Sequence, residues 1–359
     1  MLFRSRDWQG AGPLVLVTAP TQPKLAQVKA TYAQAMSGPA PAAIDASAAA
    51  QWAYGDFGTP GKVVKREVVE KPGFVRFWFE NGVVVNFKQL DKAQDRVKVR
   101  VRFGNGRREI PNSDFYAAQV AAGLFVEGGL GKHDAETVRR LFNDHGWSAD
   151  MDIGPDYFVL EGATNPTDLG VEMQILAAYV TDPGFRRSLD AKLPTTVELM
   201  DRSMRASPDF ALNQALYKTI APEGVYVMPS KDRLLKMDAK TFERLLRPAL
   251  TSSPIEITVV GDISEERVVA ALSKTFGALP PRAKTERRRG DTWFLRYPTK
   301  APGTIRTTYD SPSDKAVVEL VWPLYVAEPK RRREEYALMV LSQIMDDAIR
   351  HKEIGRAHV

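Results

Sequence analysis

"ITVVGDISEERVVAALSKTFGALPPR", residues 257–282, decides how the rest of the chain is read. With Ile255 and Glu256 ahead of it, the stretch begins as a β-branched run of strand length that stops at Gly261. Ser264 followed by Glu265 and Glu266 marks a helix start, because a hydroxyl can satisfy the first free N–H groups and early acids suit the positive end of the helix dipole. Val268, Val269, Leu272 and Phe276 then recur mostly at three and four, which puts them on one helical face. The unit closes at Phe276-Gly277-Ala278-Leu279 and two prolines. A buried strand feeding one amphipathic helix needs a sheet to join.

That sheet is legible upstream. "FVRFWFENGVVVNFKQ" (74–89) is two β-rich runs joined by Asn81-Gly82, a strong hairpin cue, and "VKVRVRFG" (97–104) alternates valines with Lys98, Arg100 and Arg102, so one face is buried and one solvated. An antiparallel sheet therefore opens the domain. Ser113 or Asp114 can cap a helix through 115–126, and Asp134 one through 135–146, ending at Gly146. "YFVLEGAT" (157–164) reads as a strand. Asn165-Pro166 reads as an N-cap with proline in the first helical position, starting a helix over 167–180. Residues 185–208 read as helical on both sides of Pro194.

Downstream, "TIRTTYD" (304–310), "KAVVELVWPL" (315–324) and "EEYALMVLSQIMDDAIRHKE" (334–353) predict strand, strand, helix, an order like that which opens the first unit. The expected organisation is then a remnant strand of a preceding domain at 1–19, an interdomain linker rich in Ala, Pro, Gly and Ser at 20–63, and a complete α+β domain at 64–283. A basic linker at 284–303 and a truncated start of a homologous domain at 304–353 follow. The closing "EIGRAHV" back-translates to a sequence resembling a common sequencing adapter, so residues 354–359 are expected to be an artefact of that kind.

Composition narrows the chemistry. The chain of 359 residues has no cysteine, which excludes disulfides and thiolate metal sites, and only four histidines, too few for a self-contained zinc centre to be expected. No run approaches the length of a membrane span, and no apolar leader follows Met1. The net charge of +6 is partly local, in "ERRRGD" (286–291) and "KRRREE" (330–335), but no nucleic-acid-binding motif accompanies these runs, so they read as solvated charge. A binding module for nucleic acid or another anionic surface would show strongly salt-dependent affinity.

The hairpin, the alternating strand, the helical middle and the strand-Gly-Asp-helix-Phe-Gly-x-Leu run together resemble the insulinase/pitrilysin family of zinc metallopeptidases, over about residues 64–353. The resemblance implies similar α+β domains, four on one chain in the larger forms, arranged as two bowl-shaped halves around a peptide. It also implies a His-x-x-Glu-His helix in the first domain, where two His and a later Glu hold zinc and the middle Glu activates water. In this chain that helix falls on 115–126, with Gln119 and Gly123 at the His positions and Ala122 at the Glu position. The resemblance thus implies the third domain, a copy without ligands or general base, with catalysis absent from this chain and no metal held by it.

Glu198 falls near the family's third ligand and reads as a solvated helix residue, while His133 and His145 flank a helix and read as capping or surface groups. In the fourth domain the family carries Arg-x-x-x-Gly-x-x-Tyr, which contacts substrate. Here Arg350 takes the Arg position, with Ile354 and Ala357 at the Gly and Tyr positions, so the implied substrate-binding residue is Arg350. The function implied is the non-catalytic half of a zinc-dependent metalloendopeptidase that encloses and binds peptides, gripping them by strand addition at a sheet edge. Zinc and the catalytic partner half would lie elsewhere, and bacterial relatives of this kind are often periplasmic. The alternative is an inactive subunit or scaffold that partners a separate catalytic peptidase.

Overall fold

The computed structural model describes residues 16–17, 23–37, 51–221, 226–282, 303–311, 316–321 and 332–354. The chain divides into two compact units, 1–49 and 50–359. In the first, the described element is helix α1 (Leu25–Ser37), within the stretch read as linker. The residues expected to form a remnant strand at 1–19 lie, apart from 16–17, outside the described residues.

The second unit is built on seven strands: β1 (Val63–Val69), β2 (Phe74–Phe79), β3 (Val84–Gln89), β4 (Val97–Phe103), β5 (Asp150–Ile153), β6 (Phe158–Thr164) and β7 (Ile255–Gly261), in the order β1-β2-β3-β7-β4-β6-β5. All neighbours are antiparallel except β3 and β7. The decisive strand of the sequence, β7, is thus the middle one, paired on both edges. That position explains its near-continuous apolar run, since a central strand buries both edges and most of one face.

Register makes the sheet two-faced. Phe77, Val85, Ile257, Val101, Leu160 and Met151 form one row across β2 to β5, all buried. One residue along, Arg76, Asn86, Thr258, Arg100, Glu161 and Asp150 form the row on the opposite face. The period of two in "VKVRVRF" is the local cause. Against the apolar face pack α2 (Phe115–Gly123) and α4 (Leu169–Thr181), with α8 (Ala239–Ser252) packed on both of them and α9 (Glu265–Ser273) on α4. The helices α3 (Ala135–Leu141), α5 (Ser188–Arg205), α6 (Pro208–Ile220) and α7 (Lys231–Leu234) complete the middle of the chain. The architecture is α+β, as expected, with β1, β5 and the α6–α8 run added to what the sequence predicts.

Several local readings hold. Gly82 closes the β2–β3 hairpin at φ 90°, a conformation that costs glycine nothing. Asp134 and Ser264 each accept an N–H bond as N-caps, and α5 runs unbroken through Pro194. Three readings need correction. α2 stops at Gly123 and gives way to a 3₁₀ turn at Val126–Gly128, and no side-chain bond from Ser113 or Asp114 caps it. α3 ends at Leu141, short of Gly146. α4 starts at Leu169 rather than beside Pro166, because Asn165 spends both ends of its amide on Asp168, accepting from its N–H at 2.9 Å and donating to its carboxylate at 2.7 Å. That fold-back is a turn, and it delays the helix by one turn.

The expected downstream helix forms as α10 (Arg332–Ile354). The described parts of the two strands expected before it, 303–311 and 316–321, form no strand. A strand is stabilised by its neighbours, and among the described residues neither edge of the sheet lies beside these segments. Val318 and Leu320 are exposed there, as are Tyr336, Met339, Val340 and Ile344 on α10. Residues 355–359 and the basic run at 286–291 lie outside the described residues.

Candidate functional site

The helix expected to carry chemistry is α2. Its apolar residues Phe115, Ala118, Val120, Ala121 and Ala122 are buried, while Gln119 and Gly123, one turn apart, are exposed on one face. Ala122 faces the core at 4% exposure, and the space a side chain on Gly123 would fill is empty to 4 Å. The face therefore offers one neutral amide. An amide is a poor zinc donor beside imidazole, thiolate and carboxylate, and among the described residues no three His, Cys, Asp or Glu side chains converge. The residues present do not fit zinc.

The acid that follows α2, Glu127, is also occupied. Arg139 of α3 and Lys192 of α5 both bond its carboxylate, and chiefly through the Lys192 bond its pKa is held below the usual range. It ties the turn after α2 to two helices. Glu198 pairs with Lys231, so the candidate third ligand is a half-exposed ion pair. Arg350 lies in α10, and its side chain is outside the described residues. Among the described residues, no hydrogen bond or ion pair joins Gln119, Glu127 and Glu198 to one another.

His133 is not at the surface: it is 8% exposed, its Nε2 accepts the Ala53 N–H at 3.1 Å, and its ring stacks on Trp52 with centroids 5.5 Å apart. That bond requires a neutral Nε2, so the proton sits on Nδ1. His145 bonds Asp168 at 2.7 Å, and this bond, with the Gly146 N–H and Asn165, lowers the Asp168 carboxyl to about 2.

His133 belongs to a feature that sequence reasoning missed. Residues 51–62, placed in the linker by composition, are clasped onto the domain. Trp52 Nε1 donates to Gln174 at 2.9 Å, Tyr54 Oη donates to Asp182 at 2.6 Å and accepts from Lys132 N–H at 2.8 Å. Burial first, and then the Asp182 bond, push the Tyr54 hydroxyl up to about 12, so it remains a donor across the accessible pH range. Gly61 lies backbone to backbone with Gly277, whose missing side chain also admits Phe79. Three aromatics, Trp52, Tyr54 and Phe57, in a run of Ala, Pro and Gly were the available signal. Tyr54→Phe removes both bonds and is expected to cost about 1–3 kcal/mol, with faster tryptic cleavage after Lys62; unchanged cleavage would mean the clasp holds nothing.

The sheet has two edges, and they differ. β5 is four residues long, carries Asp150 and Asp152, and turns the Asp152 carboxylate onto the Ile153 N–H at 2.7 Å. Such an edge is blunted against pairing. β1 is seven residues long and exposed along nearly all its length, with Val64 at 64% and Val68 at 58% exposure. At the N-terminal end of α2, a cleft of about 150 Å³ is lined by Ser113, Asp114, Ala117, Arg233, Lys236 and Met237, with Asp114 held by Arg244 at 3.3 Å.

Residues 247–352 match the family described as Peptidase M16 inactive domain. No curated protein matches. Among solved structures, the chain is similar to the ferredoxin protease FusC, solved as a mutant in complex with Arabidopsis ferredoxin, at 16% identity and TM-score 0.57 over 77% of this chain and 30% of that one. It is similar to the periplasmic protease PqqL from Escherichia coli at 14% identity and TM-score 0.61 over the same shares. Pitrilysin aligns at 14% identity and TM-score 0.50 over 64% of this chain and 26% of its own. At these identities the structures establish the fold, and the chain spans less than a third of each of the three.

Proposed function

From a chain that is similar to the C-terminal half of insulinase/pitrilysin-family proteins and carries an M16 peptidase-like, non-catalytic domain, we propose the non-catalytic half of a zinc-dependent metalloendopeptidase. In this reading it closes over a catalytic half that holds the zinc, and together they enclose and bind peptides. The observation that carries it is α2, which keeps its place against the sheet while presenting Gln119 and Gly123 where ligands would be needed and Ala122 where a base would be. The fold of the catalytic unit is kept and its donor set is replaced. Arg350 is proposed as a contact to bound peptide, since a guanidinium can pair with peptide carbonyls. An exported location is proposed from the likeness to a periplasmic protease; among the described residues no helix is long and apolar enough to cross a membrane.

The test is activity with and without a partner. Dialysed against zinc, the chain alone is expected to retain less than a stoichiometric amount of metal and to leave fluorogenic peptides uncut. Adding a His-x-x-Glu-His half encoded upstream in the same reading frame is expected to give chelator-sensitive cleavage, weakened by Arg350→Ala through KM. Chelator-sensitive cleavage by the chain alone would overturn the proposal. Activity gained only with a separately encoded peptidase would establish the scaffold alternative instead.

A further inference from the structure

We infer that β1 is a self-pairing edge, through which two copies of this chain join antiparallel strands about a two-fold axis at Arg66. The inference goes beyond the proposed peptidase role and stands independently of it. It starts from the strand itself, Val63-Val64-Lys65-Arg66-Glu67-Val68-Val69, which reads nearly the same in both directions with charge inverted about its centre. Laid antiparallel on a second copy with Arg66 facing Arg66, it sets Lys65 against Glu67 twice, Val64 against Val68 twice and Val63 against Val69 twice. Opposite charges directly across a strand pair attract, and β-branched pairs pack, so each non-central contact is favourable. A contact that repeats itself under two-fold rotation is what closed dimers require.

The backbone agrees with this register. The Phe79 N–H bonds Val83 and the Glu80 N–H bonds Lys62, so even-numbered residues of β2 turn their polar groups toward β1. Their partners Lys65, Glu67 and Val69 therefore face β2, and Arg66 and Val68 point their N–H and C=O outward. The two-fold pair at Arg66 is then a hydrogen-bonded pair, and Lys65 with Glu67 of the second copy falls in the closer, non-hydrogen-bonded position. A register irregularity lies between Val63 and Lys65, so the contacts that carry the register are Arg66 with Arg66 and Lys65 with Glu67, and the outer valine pairs lie at the bulge.

Like charges at the centre are already answered within each copy. The Arg66 guanidinium is held by both oxygens of Glu265 on α9, at 2.7 and 2.9 Å. Lys65 and Glu67 now meet each other at 3.2 Å on one face of the strand, with side chains 60% and 48% exposed, so both are within reach of a second copy. The blunted β5 edge, by contrast, shows what protection looks like in this fold.

The experiment is sedimentation velocity on the full chain across a concentration series. The wild type is expected to show a reversible monomer–dimer equilibrium, and Lys65→Glu or Glu67→Lys, each placing like charges opposite twice, to weaken it at least tenfold. The two single variants mixed in equal amounts are expected to dimerise with each other, because every Glu then faces a Lys. The double variant Lys65→Glu/Glu67→Lys is expected to dimerise alone. A wild type monomeric throughout would overturn the inference, as would single variants that associate like the wild type, which would locate the dimer elsewhere. None of these substitutions touches the core, so misfolding does not confound them.

Discussion

Between about pH 5 and pH 9 the domain is expected to lose on the order of 4 kcal/mol of stability through one residue, and Glu172→Gln to abolish most of that loss. Glu172 is fully buried in α4, where its Oε2 accepts the Ser148 N–H at 3.2 Å and its Oε1 has no partner. It fits because residue 162 is glycine: a side chain there would begin 1.6 Å from Oε1. Burial pushes the carboxyl up to about 8 from the usual 4.5, against a smaller lowering by the Ser148 bond. The folded state then holds a proton that the unfolded chain releases near pH 4.5. The stabilisation is full below that value, declines as pH rises, and is gone once pH passes about 8 and the folded carboxyl ionises too. Urea unfolding of both forms at the two pH values checks it. Equal midpoints for the wild type and Glu172→Gln at pH 9 would show that the carboxylate is solvated after all.

Asn81→Leu is expected to cost about 3 kcal/mol, from buried groups left without partners. The Asn81 amide is 6% exposed and spans nearly two hundred positions of sequence, donating to the Phe276 carbonyl at 2.8 Å and the Leu279 carbonyl at 2.9 Å, while Oδ1 accepts the Val83 N–H at 3.2 Å. Leucine matches its size and makes none of these bonds. Asn81→Asp keeps the acceptor but sets a carboxylate against two carbonyls, so it is expected to be no milder. Chemical denaturation of the three forms is the measurement, and a loss under about 0.5 kcal/mol for Asn81→Leu would mean that water satisfies the turn.

Asn81 also shows where sequence reading stops. Its pairing with Gly82 is a local signal, and it placed the hairpin correctly; its bonds to the far end of the domain are tertiary and leave no periodicity to read. The same division runs through the fold. Strands β2, β3, β4, β6 and β7 were visible because alternation or continuous β-branching reflects which faces are buried. β1 and β5 were not, since "VVKREVV" neither alternates nor buries a face and "DMDI" alternates over only four residues. Compositional reading took 20–63 as a linker and missed Trp52 and Tyr54, whose packing depends on Gln174, Asp182 and His133. In the candidate site, the lack of zinc donors at Gln119, Ala122 and Gly123 was legible only through the family resemblance, which implied that this helix takes the place of the His-x-x-Glu-His helix. The occupied state of Glu127 could not, because Arg139 and Lys192 approach it from two other helices.

Gly61 and Gly277 give the domain a constraint on its own descent. A methyl group on Gly61 would sit 2.1 Å from the Gly277 carbonyl oxygen, and one on Gly277 2.8 Å from the Phe79 ring. Each position is therefore held as glycine on its own account, Gly61 by a backbone that any residue at 277 would carry and Gly277 by the Phe79 ring. More than two hundred residues separate them and only one lies in the recognisable closing motif. No second change at one position can release the other, so a side chain at either should be tolerated only where the backbone itself moves apart.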